Sequence, residues 1–425
     1  MTFLLRALKE DPDYQSTLYA IKNNRLPMGL LGLSHIHKAH LTAALCQEFD
    51  KSALFLTPDE GRGTRLVEDL KTLGLDAHLY RARDFSFRPT EGRSREYEHG
   101  RLKVLGLMGQ TGRKVIVASV EAALQLTLPP ALLAKNSPLL KLGQTLNIDD
   151  FQADLINAGF VFSDRVEGPG QFAVRGGIID VFSPTADAPF RLELWGDTID
   201  SIHTFDPLDQ RSVKSIKEAQ ISPAGEILPG TNQNFADLIE GFAQSVKGKG
   251  SVKVKASLAK DIELLRAGVR LSSYDRYLPL LYEKPATIFD YANDYLLFAG
   301  ETFSIKEKAL SVLKLWQEET KAYFEEGVLC KGLDTFALSL PQLTTQYEKM
   351  PALFLDNLPR GSFDTAVKEL ATYNARQLTP WNGSFKQLLE DLGNREDLQK
   401  GRLVILAGNK KSAQNLSNDL TAQGI

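Results

Sequence analysis

The sequence predicts an α/β protein: a domain with a largely parallel sheet and a degenerate P-loop, interrupted by an inserted α+β domain and followed by a small α/β domain. Two observations lead to this fold class. Strand and helix patterns alternate over the first ~125 residues, and short alternating strands replace them between Phe160 and Ser212. The chain has 425 residues, which is enough for two to four domains.

The first part of the chain alternates buried strands with amphipathic helices. Residues 52–58, SALFLTP, have the continuous apolar run of a buried strand. Residues 59–74 have leucines at spacings of four and three and end in a glycine, as a helix does. Residues 114–126, KVIVASVEAALQL, read as a strand that runs into a helix. This alternation favours a parallel sheet covered by helices.

The stretch LLGLSHIHKAH, residues 30–40, has the outline of a P-loop, G-x-x-x-x-G-K-[ST]. Gly32 and Lys38 fit the pattern, but His37 replaces the second glycine and Ala39 replaces the hydroxyl residue. The ring of His37 would obstruct close approach to phosphates, and Ala39 cannot bind Mg²⁺. No strand ending in a pair of acids accompanies the loop. We therefore expect a structural strand-turn-helix and no nucleotide cofactor.

Histidines and cysteines indicate no metal site. His35, His37 and His40 have spacings that a turn and a helix start do not bring to one face. Cys46 and Cys330 stand far apart and read as reduced thiols. No apolar run reaches the ~20 residues of a membrane span, and charges come too early for a secretory signal. We expect a cytoplasmic protein.

The middle of the chain predicts an antiparallel meander. Residues 172–184, 190–196 and 198–206 are short strands separated by turn residues. FRLELWG alternates apolar with charged side chains, which is typical of a sheet with one face in water. Gly176 and Gly177, inside the first run, predict a bulge or a close backbone approach.

The last part returns to mixed content. Residues 303–327 predict a long amphipathic helix that ends at Gly327. Residues 330–425 predict the small α/β domain, with a strand in PALFLDN and a strand followed by a helix in 402–425. Because the sequence stops where a further strand is expected, it reads as a piece of a longer protein.

A glycine-containing basic segment precedes the long helix. We expect it to be a solvated loop or edge strand, and DNA contact is the alternative. Its lysines are Lys247, Lys249, Lys253, Lys255 and Lys260.

Two long strings carry a family resemblance. RVEGPGQFAVRGGIIDVFSP (165–184) and RLELWGDTIDSIHTFDPLDQRS (191–212) closely resemble the second domain of the transcription-repair coupling factors, the Mfd family. UvrB, the damage-verifying subunit of nucleotide excision repair, has the same domain. VIVASVEAAL (115–124) is similar to the segment that precedes it in both. The region 81–115 is short, with one tyrosine, and leaves no room for the aromatic hairpin that UvrB uses on DNA. That absence and the degenerate P-loop favour the N-terminal part of a coupling factor.

The resemblance implies a division into domains. Residues 1–125 and 208–325 would form one helicase-like nucleotide fold without ATPase activity. Residues 126–207 would be the inserted domain that binds UvrA, the damage-recognition ATPase. Residues 330–425 would be the small domain, of unknown role.

The resemblance also implies which residues contact UvrA: Arg165, Arg175 and Phe182. Arginine forms planar, charge-assisted contacts and is enriched at interface hot spots. A surface charge is the alternative for each arginine, and core packing is the alternative for Phe182.

The implied function is recruitment of UvrA to stalled RNA polymerase. The family's ATP-driven DNA translocase motor and polymerase contact would lie in regions outside this sequence, and the UvrA-binding face would be masked in the resting protein. An ATP-using, damaged-DNA-binding subunit of the UvrB type is the alternative. A metabolic enzyme has no support, since the meander carboxylates, Asp180, Glu193, Asp197 and Asp200, form no catalytic constellation.

Overall fold

The computed structural model describes residues 5, 7–88, 94–248, 250–358, 361–374, 383–393, 405 and 409–424. The chain divides into two compact units, Met1–Ala375 and Arg376–Ile425. Within the described residues, no helix combines the length and the apolar character that crossing a membrane requires.

Seven parallel strands form the main sheet, in the order β15-β1-β14-β13-β2-β4-β3. The chain leaves this sheet after β4 and returns to it at β13. The strands of the whole structure are β1 (Met28–Leu31), β2 (Ala53–Thr57), β3 (Ala77–Tyr80), β4 (Val115–Ser119), β5 (Leu139–Lys141), β6 (Val161–Phe162), β7 (Gln171–Arg175), β8 (Ile178–Val181), β9 (Phe190–Trp195), β10 (Thr198–Phe205), β11 (Ser212–Ser215), β12 (Glu218–Gln220), β13 (Leu296–Gly300), β14 (Ala352–Leu355) and β15 (Glu369–Thr372).

Helices cover both faces of the main sheet. The α-helices of all the described residues, in chain order, are α1 (Pro12–Lys22), α2 (His35–Phe49), α3 (Glu60–Thr72), α4 (Glu96–Met108), α5 (Val120–Leu124), α6 (Pro130–Lys135), α7 (Ile148–Asn157), α8 (Asn232–Ser245), α9 (Ser251–Arg266), α10 (Leu278–Leu281), α11 (Ile288–Tyr291), α12 (Thr302–Glu326), α13 (Leu340–Lys349), α14 (Phe385–Gly393) and α15 (Lys410–Ala422).

The central strand β2 shows why the sheet is buried on both faces. Leu54 and Leu56 belong to one hydrophobic core, and Ala53 and Phe55 belong to the core on the other side. Successive side chains of a strand point to opposite faces, so a strand between two layers of helices must be apolar throughout. The predicted strand SALFLTP is confirmed.

The segment between β4 and β13 includes a second, six-stranded sheet, in the order β11-β10-β9-β8-β7-β6. Its pairs are antiparallel except β6 with β7. One face packs on α7 around Phe151, Phe172 and Leu192, and β5 pairs with β12 in a separate small sheet. The antiparallel insert in a parallel-sheet protein is confirmed.

Three local predictions need correction. Gly176 and Gly177 form the two-residue turn of the β7–β8 hairpin, because Arg175 pairs directly with Ile178 and Gly176 has φ +58°. The bulge is therefore wrong, whereas the alternative of a close backbone approach is confirmed at Gly177, where a Cβ would lie 3.0 Å from the carbonyl oxygen of Leu194. In the basic segment, Lys253, Lys255 and Lys260 lie on α9, where a loop or strand was predicted, whereas Lys247 lies in the exposed loop before this helix.

The third concerns the small domain predicted from residue 330. Strands β14 and β15 complete the main sheet on either side of β1, so this part of the chain belongs to the first unit. Parallel strands pair over long sequence distances, which local patterns do not reveal. The strand predicted at the start of 402–425, and Lys249, lie outside the described residues.

A buried ionic cluster joins the inserted segment to the main sheet. Glu226 follows the small sheet and is fully buried, as is Arg101 of α4. Arg101 donates to Glu226 Oε1 at 2.6 Å, and the Thr127 hydroxyl donates to Oε2 at 2.6 Å. Arg83 lies 3.4 Å from the same carboxylate and donates to Asp275 at 2.8 Å. Burial opposes the charge of Arg83, but Asp275 and Glu226 outweigh it and raise its pKa.

Glu226→Gln should destabilise the protein strongly. The change leaves Arg101 and Arg83 buried with too little negative charge, and breaking a buried pair costs about 3–5 kcal/mol. Urea unfolding of the variant against wild type measures the difference. Glu218→Gln, at an exposed position of β12, is the control and should change little. Equal stability of the two variants would show that the cluster does not hold the insert.

His99 predicts a pH dependence of stability. It lies at the same junction, with Nε2 3.1 Å from the carbonyl of Ala224. Burial, and then the charge of Arg95, lower the pKa of His99 to about 4. The unfolded chain therefore takes up the proton first, and the free energy of unfolding should fall by roughly 2–3 kcal/mol as pH drops from about 6.5 to 4. Urea titrations across this range should show a smaller fall for His99→Gln, and identical profiles would contradict the assignment.

Candidate functional site

The backbone amides of the loop after β1 already donate hydrogen bonds to neighbouring backbone. The amide of Gly32 donates to the carbonyl of Asn357 at 3.1 Å, and the amide of Leu33 donates to the carbonyl of Asp356 at 3.3 Å. A phosphate loop needs such amides directed at one anion. Here the backbone carbonyls directly after β14 accept the hydrogen bonds of these amides instead.

Gly32 itself is required by packing. Its φ is +79°, and a Cβ at this position would lie 2.1 Å from the carbonyl oxygen of Tyr373, which follows β15. The amide of Tyr373 in turn donates to the carbonyl of Leu31 at 2.9 Å. The glycine that the P-loop pattern contains therefore allows a close approach of neighbouring backbone.

The two departures from the P-loop pattern have structural roles. Helix α2 begins at His35, and His37 is hydrogen-bonded through Nδ1 to the hydroxyl of Ser34 at 2.9 Å. Burial is the main cause that lowers the pKa of His37. Ala39, in the first turns of the same helix, is completely buried. His35 instead faces Asp69 of α3 at 2.9 Å, and no three metal-ligating side chains converge within the described part of the chain.

Lys38 is paired inside the protein. Its side chain is 8% exposed and forms an ion pair with Glu301, which follows β13 with φ +62°. Next to it, the amide and the hydroxyl of Thr302 each donate to Asp356 at 2.7 Å. Burial raises the pKa of Asp356. The charge that a nucleotide would use is thus already neutralised.

The cavity beside Lys38 is small, about 40 Å³, and is bordered by Phe55, Thr57 and Glu301. Ligand pockets commonly reach about 300–1,000 Å³. Sequence reasoning missed Glu301 and Asp356 because it sought a pair of acids. The available signal was a single acid directly after each of the apolar runs LLFAG and ALFL.

Gly32→Ala should be more damaging than Gly74→Ala. Both glycines have positive φ, +79° and +86°, but nothing lies within 4 Å of a Cβ at Gly74. The clash with the backbone of Tyr373 should add about 1–3 kcal/mol to the shared cost of the left-handed conformation. Thermal and urea unfolding of the two variants compare the costs, and equal losses would exclude the clash as a cause.

The two predicted arginines lie in one hydrogen-bonded system on the face of the six-stranded sheet that points away from α7. Arg175 ends β7, is 52% exposed, and donates to Asp180 Oδ2 at 2.5 Å. Arg191 of β9 donates to both oxygens of Asp180, at 2.7 and 2.9 Å. The guanidinium of Arg191 also lies over the ring of Phe205, 4.6 Å from its centre.

Arg165 joins this system through the loop between β10 and β11. Its guanidinium donates to the carbonyls of Pro207, at 3.3 Å, and Leu208. Gln210 closes the loop: its side chain donates to Pro207, and its carbonyl accepts from Arg191 at 3.1 Å. We call Arg165, Arg175 and Arg191, with Asp180 between the last two, the arginine face.

Phe182 lies beneath this face. Its side chain is 9% exposed and packs with Val166, Ala173 and Phe205. This is the core-packing alternative that the sequence left open, and a direct contact of Phe182 with a partner stays a prediction. Asp180 and Arg191 were not predicted as site residues. The alternation of FRLELWG places Arg191 on the polar face, which was the available signal.

A family model defines the class of domain that carries this face. Residues 139–226 match the UvrB interaction domain. The match contains the arginine face and ends at Glu226, the residue of the buried junction.

Curated relatives then match most of the chain. The transcription-repair-coupling factor of Bacillus subtilis (strain 168) is 29% identical over 97% of this chain and 36% of its own length. That of Myxococcus xanthus is 34% identical over 46% of the chain and 16% of its own length. That of Staphylococcus aureus (strain MRSA252) is 26% identical over 72% and 27%. The resemblance to the transcription-repair coupling factors is confirmed, and the chain spans about a third or less of these relatives.

Proposed function

We propose that the chain is a protein-binding module of transcription-coupled nucleotide excision repair, and that its arginine face binds UvrA. The observation that carries the proposal is the coincidence of this face with the UvrB interaction domain. Arg175 and Arg191 share the buried carboxylate of Asp180, and Arg165 donates to loop carbonyls beside them. With three arginines and one carboxylate, these four side chains together carry a net positive charge. Arginine in such a geometry offers directed donors to carboxylates of a partner.

We propose further that the chain itself does not hydrolyse ATP. Two observations support this. The loop amides and Lys38 already form internal contacts, and the cavity beside Lys38 is small. In the longer protein, other regions would supply the ATP-driven translocase that displaces RNA polymerase, and the contacts with polymerase and DNA. Such a protein would act in the cytoplasm, where bacterial transcription takes place.

The domain division remains part of the proposal. The inserted UvrA-binding domain, expected at 126–207, would extend to about Glu226, because β11 and β12 belong to its sheets.

Arg175→Ala should weaken binding of UvrA. Removing a paired interface arginine costs about 2 kcal/mol or more, which is tens-fold in affinity. Calorimetric titration of UvrA into the full chain measures it. The control is Arg62→Ala, because Arg62 has a similarly exposed side chain on α3. Equal affinities of wild type and Arg175→Ala would remove Arg175 from the interface, and no binding by wild type would end the proposal.

Titration with a fluorescent ATP analogue separates this proposal from the UvrB-type alternative. We expect no saturable binding at micromolar concentrations, since the amides and the lysine are already bonded. Lys38→Ala and the surface variant Lys51→Ala should behave like wild type. Micromolar binding that disappears only in Lys38→Ala would favour a nucleotide-using subunit.

A further inference from the structure

Asp180 is a buried carboxylate on the face of the six-stranded sheet that points away from α7. It is 1% exposed, yet it accepts from Arg175 at 2.5 Å and from Arg191 at 2.7 and 2.9 Å. Both of its oxygens are therefore engaged by guanidinium groups. A planar guanidinium held in this way loses much of its rotational freedom before any partner arrives.

Trp195 lies at the end of the same face. It is the last residue of β9 and is 84% exposed. Along β9, Leu192 and Leu194 belong to the hydrophobic core, so Arg191, Glu193 and Trp195 point the other way.

The sheet register brings the end of β9, where Trp195 lies, next to the β7–β8 turn that follows Arg175. The amide of Leu194 donates to the carbonyl of Gly177 at 2.8 Å, and Ile178 pairs with Glu193. Ile178 is also exposed on this side. Glu193 is the acidic residue between Arg191 and Trp195 on β9, and it accepts a hydrogen bond from the hydroxyl of Ser201 at 2.7 Å.

We propose that Asp180 is a positioning residue that holds Arg175 for partner binding, and that Trp195 is the apolar anchor at the end of the same surface. This inference rests on the proposed function. The surface then fits an acidic protein surface with an apolar depression beside the acids. Tryptophan and arginine are the residue types that most often dominate interface energies, and an exposed indole beside an arginine row combines both.

Asp180 is tested by a double-mutant cycle on UvrA affinity with Arg175. Asp180→Asn keeps the shape but weakens the hold on the guanidinium, and we expect at least tenfold weaker binding. In the Arg175→Ala background the same change should have little further effect, because Asp180 acts through Arg175. A loss of equal size in both backgrounds would overturn the positioning role.

A second variant covers the case in which Asp180→Asn does not fold. Arg175→Lys keeps the charge but not the planar fork, and it should bind UvrA about tenfold more weakly than wild type. Wild-type affinity for this variant would also overturn the positioning role.

Trp195→Ala should weaken UvrA binding at least tenfold, whereas Trp195→Phe should stay within about threefold of wild type. Val252→Ala is the control, since Val252 is 81% exposed on α9 of the main domain, and it should leave affinity unchanged. Wild-type affinity for Trp195→Ala would overturn the anchor. If wild type binds and only Arg175→Ala weakens it, this inference fails and the proposed function stands. If wild type does not bind UvrA, both fail.

Discussion

The ion pair between Glu226 and Arg101 is the constraint on which the arrangement of the molecule depends. It joins the end of the inserted domain to a helix of the parallel-sheet domain, at a place where neither side chain reaches water. A buried pair of this kind contributes little net stability compared with an apolar contact of the same volume. Its effect is on specificity, because other orientations of the insert would leave these charges unpaired. The junction therefore favours one packing of the segment that carries the arginine face against the parallel-sheet domain.

The carboxyl ends of β1, β13 and β14 meet where an α/β sheet usually binds its ligand. In this protein the polar groups there satisfy one another: Lys38 pairs with Glu301, and Asp356 accepts from Thr302. The same interactions that would hold a nucleotide instead fasten β13 and β14 to β1. The degenerate loop is thus held in place by internal contacts. The residues that depart from the P-loop pattern fit this packed arrangement.

Much of the fold could be predicted from the sequence, because helix and strand periods are local. The long helix α12 and the buried strand β2 lie within a residue or two of their predicted bounds. The membership of β14 and β15 in the main sheet could not be predicted, since it depends on pairings hundreds of residues apart. The alternation in β9 gave the face of Arg191 but not its neighbour Asp180, because the register between β8 and β9, which sets this pair, is not visible in the alternation of one strand.

Phe182 shows how a site residue depends on a turn. With residues 172–184 read as one strand, its facing relative to Arg175 could not be decided. The tight turn at Gly176–Gly177 divides the segment into two paired strands, and Phe182 then lies beneath the arginines, in the small cluster with Val166 and Phe205. Phe182 packs in one cluster with Phe205, and the guanidinium of Arg191 lies over the ring of Phe205, 4.6 Å from its centre. If the arginine face binds a partner as proposed, Phe182 would contribute to it through this packing, without a direct contact of its own.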